Sequence, residues 1–277
     1  MHQYVSPSKT EDHKLNNCQA RARYIFLSLF LGISTASAAE NWQNPQYIQQ
    51  SFEHIALSSE FSKHPPLLRK WRQPIRYQFQ HDVADKQLHE QLSAVHLQQL
   101  SAITGHSIQA ATDNASANLH IIFTDEARLA GYLSNAMLLD DTTVTQLSRN
   151  SVCIANFSVN NNGEIEQALV LIPVDRARAH AKLLACIVEE LTQIMGLPND
   201  DVAVFPSIFN DRSHDNFLSG LDYILLKLLY QPDLTAGMNA SQSRAAIKKI
   251  MQQPAFEQWL QQADVEVRAN GLYPLME

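Results

Sequence analysis

The chain has 277 residues, 45% apolar and 18% charged, with 8 Gly, 11 Pro and 3 Cys. That composition excludes collagen, a long coiled coil, a disulfide-packed mini-protein and a largely disordered chain, and it suits one or two ordinary cores. A formal charge of −7 argues against nucleic acid as a partner, because nucleic-acid binders carry a basic excess.

The first segment reads as an address. Arg21 and Arg23 precede the apolar run Tyr24–Ile33, and small residues follow from Ser34 to Ala39. Basic residues, a short apolar stretch and an Ala-x-Ala step make a secretory signal peptide over 1–38, cut after Ala38. The alternative is an uncleaved N-terminal anchor, although the apolar run is short for a bilayer. Cys18 precedes that run, so it cannot become a lipid-modified N-terminus. Cleavage removes Lys9, Lys14, Arg21 and Arg23 against Glu11 and Asp12, which leaves a net charge of −9. No second long apolar stretch follows. The expectation is an exported protein with no membrane segment after signal removal, periplasmic if the host has an outer membrane and secreted otherwise.

In the remainder, 39–277, a helical stretch is expected around Tyr47–Leu57, broken at Pro65-Pro66. Ile75–Phe79 alternates after Pro74 and reads as a strand. Residues 85–104 read as a helix with Leu88, Leu92, Val95 and Ile103 on one stripe, ended by Gly105. Leu119–Phe123 is a second strand. Val152–Val159 and Gln167–Val174 pair as a hairpin across Asn160–Gly163. A helix follows at about 177–195, then a loop, a helix at 217–230 and two more near 241–252 and 254–265. Strands come first and helices gather late. The pattern predicts an α+β fold with a mixed β-sheet and packed helices, in a single domain with a helical C-terminal part.

Two cysteines follow the leader, Cys153 and Cys186. An even pair in an oxidising compartment predicts a disulfide. Its loop would add about 3–4 kcal/mol in the chain-entropy model. The alternative is two buried free thiols.

One helix carries a constellation with chemistry in it. Leu183, Leu184, Ile187, Val188, Leu191, Ile194 and Met195 form one apolar face. Lys182, Cys186, Glu189 and Gln193 align on the opposite side, and Glu190 lies between. Gly196 can take positive φ and turn the chain, and Pro198 prevents helical continuation. Asn199 and Asp200 could then face Glu189 and Gln193 across the turn.

This run resembles the metal-binding helix of metzincin zinc peptidases. There His-Glu-x-x-His sets two ligands at i and i+4, the Glu is a general base, and a Gly turn leads to a third His. The resemblance puts Glu189, Gln193 and Asn199 at the three ligand positions, Glu190 at the base and Gly196 at the turn. All three histidines are replaced. Phe209, in Ser207-Ile208-Phe209, stands where metzincins carry the methionine of the turn beneath the metal.

A wider pattern includes Phe52-Glu53-His54-Ile55-Ala56 with Glu60-Phe61, and Lys70-Trp71-Arg72-Gln73-Pro74-Ile75. Cys186–Gln193, Gly196–Asp200, Ser207–Asp211, Asp222, Leu229-Tyr230 and Gly237-Met238 continue it. In these blocks, over about 50–240, the chain resembles the DUF2927 family of exported bacterial proteins, whose activity is unassigned. The resemblance implies a metzincin-like (zincin) fold rather than a reaction.

Zn²⁺ prefers nitrogen and sulfur donors, whereas Glu189, Gln193 and Asn199 offer oxygens, only one of them charged. A divalent metal there would suit Ca²⁺, Mg²⁺ or Mn²⁺ and would need Asp200, Asp201 or Asp211. The opposing reading is a self-satisfied polar cluster, with Glu189 and Gln193 hydrogen-bonded at i, i+4 and Asn199 on carbonyls at the helix end. On that reading no cofactor is expected.

Other residues carry less. His89 and His96 lie on one face about 10.5 Å apart in rise, too far for one metal, and are expected to flank the core. His120 points to the other face of its strand, and His180 and His214 stand alone. No Gly-x-Ser-x-Gly elbow or phosphate-cradling Gly loop is present. Asp222 adjoins the stripe Leu218, Leu221, Leu225, Leu228 and Leu229, and a surface position is expected for it.

Two functions fit. One is an exported pseudo-peptidase binding a peptide or envelope component beside Glu189 and Glu190, with the edge strand near 152–159 taking an extended peptide. The other is a metal-dependent hydrolase or peptidase with an oxygen-ligand centre and Glu190 as general base.

Overall fold

The computed structural model describes residues 42–58, 67–210, 212–213 and 216–275. The expected signal peptide, Pro65-Pro66, Asp211 and His214 lie outside the described residues.

The described chain opens with α1 (Pro45–Phe52), capped by the Asn44 side chain on the amides of Gln46 and Tyr47. It runs directly into a π-helical turn, Glu53–Leu57. The strands are β1 (Lys70–Trp71), β2 (Ile75–His81), β3 (Ile108–Ala110), β4 (Leu119–Thr124), β5 (Ile154–Val159) and β6 (Glu164–Pro173). Helix α2 (Lys86–Thr104) lies between β2 and β3, and α3 (Glu126–Asn135) and α4 (Asp141–Asn150) lie between β4 and β5. After β6 come α5 (Val174–Ala179), α6 (Leu183–Gln193), α7 (Gly220–Leu229), α8 (Ala240–Ile250) and α9 (Pro254–Ala269).

The fold is mixed α/β, a largely parallel sheet with packed helices. Its order is β3-β2-β4-β6-β5, with β1 also against the start of β6. All pairs are parallel except β5–β6, the expected hairpin. Its register sets Ile154 opposite Leu171 and is bulged at Ser158/Val159. At the turn, Asn160 Oδ1 accepts the amides of Asn162 and Glu164, and Gly163 takes φ 76°. Among the described residues β5 has no strand on its outer side. No described helix is long and apolar enough to cross a membrane.

Alternation along the central strands makes two apolar layers. Leu119, Ile121 and Phe123 of β4, with Val170 and Ile172 of β6, face the main core shared with α2, α6 and α7. Ile122 and Leu171 face a smaller cluster with Leu129 and Leu133 of α3 and Leu147 of α4.

Four findings differ from expectation. The strands β1 and β3 are two and three residues long, too short to leave a period in the sequence. Helices α3 and α4 fill a stretch to which the sequence pattern assigns no element; each starts on an aspartate, Asp125 and Asp140, that caps its first amides. The helix expected at 177–195 is two helices. Ala181 at φ 54° takes the left-handed cap position, and Lys182 N–H donates back to the Ala177 carbonyl at 2.7 Å. Finally, α2 ends at Gly105 as expected, but its buried stripe carries His89 and His96 with Leu92, Leu100 and Ile103, while Leu88 is exposed.

Candidate functional site

The site is built around the C-terminal end of α6. Cys186 lies one turn before Glu189 and is joined to Cys153, just ahead of β5, with Cα atoms 5.8 Å apart. The expected disulfide therefore pins the edge of the sheet to this helix. On the helix, Glu190 is buried (5% exposed), while Glu189 and Gln193 are half-buried.

A helix end leaves carbonyls without partners, and here the end is buried, so tertiary donors must reach them. Trp71 Nε1 donates to the Ile194 carbonyl at 2.7 Å, and the Tyr230 hydroxyl donates to Met195 at 2.9 Å. Burial drives the Tyr230 pKa well upward. Gly196 follows at φ 111°, where a Cβ would sit 2.1 Å from the Arg69 carbonyl oxygen. Only glycine fits that crossing. Next to Arg69, the buried Lys70 ammonium donates to the carbonyls of Leu229 (2.8 Å) and Leu234 (2.7 Å) and lies over the Tyr230 ring. Desolvation lowers its pKa to about 8.

Past Gly196 the chain returns toward α6, as the turn predicts. Gln193 Nε2 donates to Asp200 Oδ1 at 2.9 Å. Asn199 Nδ2 donates to the carbonyls of His54 (3.0 Å) and Asp200 (3.1 Å), and Asn199 N–H donates to Ile55 (3.3 Å). The Asn199 side chain thus serves the π-helical turn, not the end of α6 as expected. His54 is exposed, and its Nδ1 lies 2.6 Å from Asp201 Oδ2. The Ala203 amide on Asp201 Oδ1 is the main reason that carboxyl titrates below its ordinary value. Beside His54, Glu53 takes two hydrogen bonds from Arg244 (2.9 and 2.6 Å), which lower its pKa.

Asp222 is the clearest correction. It is fully buried, not on the surface. Its carboxyl accepts from Ser207 Oγ (2.6 Å), Ile208 N–H (3.0 Å), Ser219 N–H and Ser219 Oγ (both 2.8 Å). Burial nevertheless raises its pKa to about 6. The group fastens the Ser207–Phe209 segment, with Phe209 fully buried, to the head of α7. The signal was present in Ser219-x-x-Asp222, a capping box. His96 is also within the core, 3.1 Å from the Val188 carbonyl and 3.0 Å from Thr192 Oγ1 on α6. Burial lowers its pKa to about 4.

The structure therefore brings Gln193, Asn199 and Asp200 together below Glu189 and Glu190, with His54 and Asp201 on the adjoining segment. The donor set does not fit zinc: it holds no imidazole at the three helix and turn positions, and both amide NH₂ groups are spent on protein oxygens. Among the described residues, no three His, Cys, Asp or Glu side chains gather as metal ligands.

The family model described as protein of unknown function (DUF2927) matches residues 45–249. The chain belongs to the DUF2927 family. The match takes in α1 through most of α8, and so all of the DUF2927 site residues named above. No curated protein and no solved structure matches the chain.

Proposed function

We propose that this DUF2927 protein is an exported pseudo-peptidase-like binding protein on a metzincin-like frame, which takes a peptide or envelope component in extended form. The observation that carries the reading is the use of Gln193 and Asn199. Each sits at a position equivalent to a metal ligand, and each donates its amide to Asp200 or His54. A site spent on its own hydrogen bonds is stable without a Lewis acid, and the metzincin reaction depends on one. The element order supports the frame: a strand, a long helix, further strands, an antiparallel hairpin strand, then α6 ending at a glycine turn. The outer edge of β5, tied to α6 by the disulfide, offers backbone groups for strand addition.

The test has two arms on the protein lacking residues 1–38. Elemental mass spectrometry after incubation with Zn²⁺, Mn²⁺ and Ca²⁺ is expected to find no stoichiometric metal. An extended-peptide library is expected to yield ligands that shift the backbone amides of 154–159 in NMR spectra. A stoichiometric metal that is lost in Glu189→Ala would overturn the reading in favour of a hydrolase.

That second reading is favoured by one observation, the burial of Glu190 on the helix that carries the motif. A buried carboxyl group suits a general base. Peptide cleavage abolished by Glu190→Gln, with binding retained, would establish it.

A further inference from the structure

A second cluster lies at the carboxyl end of the parallel strands, away from the α6 turn. His89 on α2 has no exposed surface, and neither of its ring nitrogens has a hydrogen-bond partner among the described residues. Its ring stacks on Phe123 of β4, with centroids 4.5 Å apart and planes 13° apart. His81, at the end of β2, stacks on the same phenylalanine at 5.1 Å and 7°. The two imidazoles are 5.9 Å apart. His81 Nε2 lies 3.0 Å from Glu90 Oε1, and its Nδ1 is buried without a partner.

The charged and titratable groups acting on His89 are Arg178 on α5, His81 on β2 and Asp85 at the head of α2. Asp85 holds the N-cap position of α2 at φ 63°, yet its side chain does not cap the helix. It pairs instead with Arg178 Nη2 at 2.8 Å. The only one of the three that would welcome a charge on His89 is therefore already engaged, one helical turn away.

We propose that the His89 stack is an acid-sensitive latch: a proton taken up from solvent by His89 draws the ring out toward Asp85, displaces Arg178 and frees the head of α2 from α5. An imidazolium left within the stack would be a buried charge with no acceptor, a state proteins avoid by moving or neutralising the group. Burial is the main cause that holds the His89 pKa below its ordinary value, helped by Arg178 and His81 and opposed by Asp85. The latch is closed at neutral pH and opens on acidification. Because α5 leads through the Ala181 turn into α6, the moving part adjoins the helix of the candidate site. The latch goes beyond the proposed function and stands or falls without it.

The test is hydrogen exchange by mass spectrometry on the protein lacking residues 1–38, at about pH 8 and about pH 5.5, corrected for intrinsic rates. Amides of 86–92 and 174–179 are expected to exchange about tenfold faster at the lower pH, with β4 and β6 unchanged. His89→Phe keeps an aromatic ring in the stack and is expected to abolish the acid response. Arg178→Gln, at an exposed position, removes the partner of Asp85 and is expected to speed exchange of 86–92 and 174–179 already at about pH 8. An unaltered acid response in His89→Phe overturns the proposal, as does the absence of local acceleration in the unaltered protein. Should His89→Phe not fold, exchange in Arg178→Gln at about pH 8 that is no faster than in the unaltered protein overturns it.

Discussion

Gln193 on α6 donates its side-chain amide to Asp200, seven residues later, across a turn made at Gly196. The bond closes the loop on itself and brings the polar end of the helix against the returning chain. It requires the backbone to pass directly over Arg69.

Gly196→Ala is therefore expected to be severe. The new methyl group would meet a backbone oxygen at 2.1 Å, at a φ that L-residues rarely adopt. The loss should be about 3 kcal/mol, the combined cost of strain and overpacking. Urea denaturation would measure it, and a loss below about 1 kcal/mol would contradict the assigned crossing.

Trp71→Phe tests the buried end of α6. It keeps an aromatic ring in the core but removes the donor to Ile194 together with part of the indole's buried volume, which adds a cavity cost. A buried carbonyl left without that donor costs about 1–3 kcal/mol. Amides near the end of α6 should lose hydrogen-exchange protection in the variant. Unchanged stability and protection would mean that the bond contributes nothing.

Asp222 predicts a pH dependence. Its folded pKa is raised to about 6, above the ordinary 3.8, so between those values the native state binds more protons than the unfolded one. Stability should fall as pH rises through that window, by the linkage relation. Asp222→Asn is expected to flatten that slope. It should also destabilise the protein at neutral pH, because its NH₂ group would face donors that now find a carboxyl oxygen. Chemical denaturation at several pH values reads both effects; an unaltered slope would place the titration elsewhere.

Replacing Cys153 and Cys186 together by serine should cost about 3–4 kcal/mol. The same variant should increase hydrogen exchange in β5, because the disulfide joins the residue before that strand to α6. Loss of stability without a change at β5 would show that the bond does not hold the edge strand.

Much of this arrangement is written in local sequence. The hairpin announces itself through Asn160–Gly163, α2 through its length and Gly105, and the site turn through Gly196 and Pro198. What escaped has a physical reason in each case. The break at Ala181 uses a residue that ordinarily favours helix, stabilised by the back-bond from Lys182. His89 and His96 sit on the core stripe of α2, although histidine gives a weak burial signal. Asp222 looks solvated until its capping serine and the distant Ser207 are placed around it. Trp71, Lys70 and Tyr230 act on helix ends far along the chain, which no local pattern encodes.

Three consecutive residues, Arg69, Lys70 and Trp71, hold Gly196, the carboxyl end of α7 and the carboxyl end of α6 respectively. The leucine-rich helices of the C-terminal half are thus finished off by a segment made more than a hundred residues earlier. A fragment beginning at β6 would keep the Tyr230 bond to Met195 but would lose the Trp71 donor to Ile194 and the Lys70 donor to Leu229. The two halves of the described chain share these contacts, and a clip between β1 and β2 is expected to weaken the site without touching any residue in it.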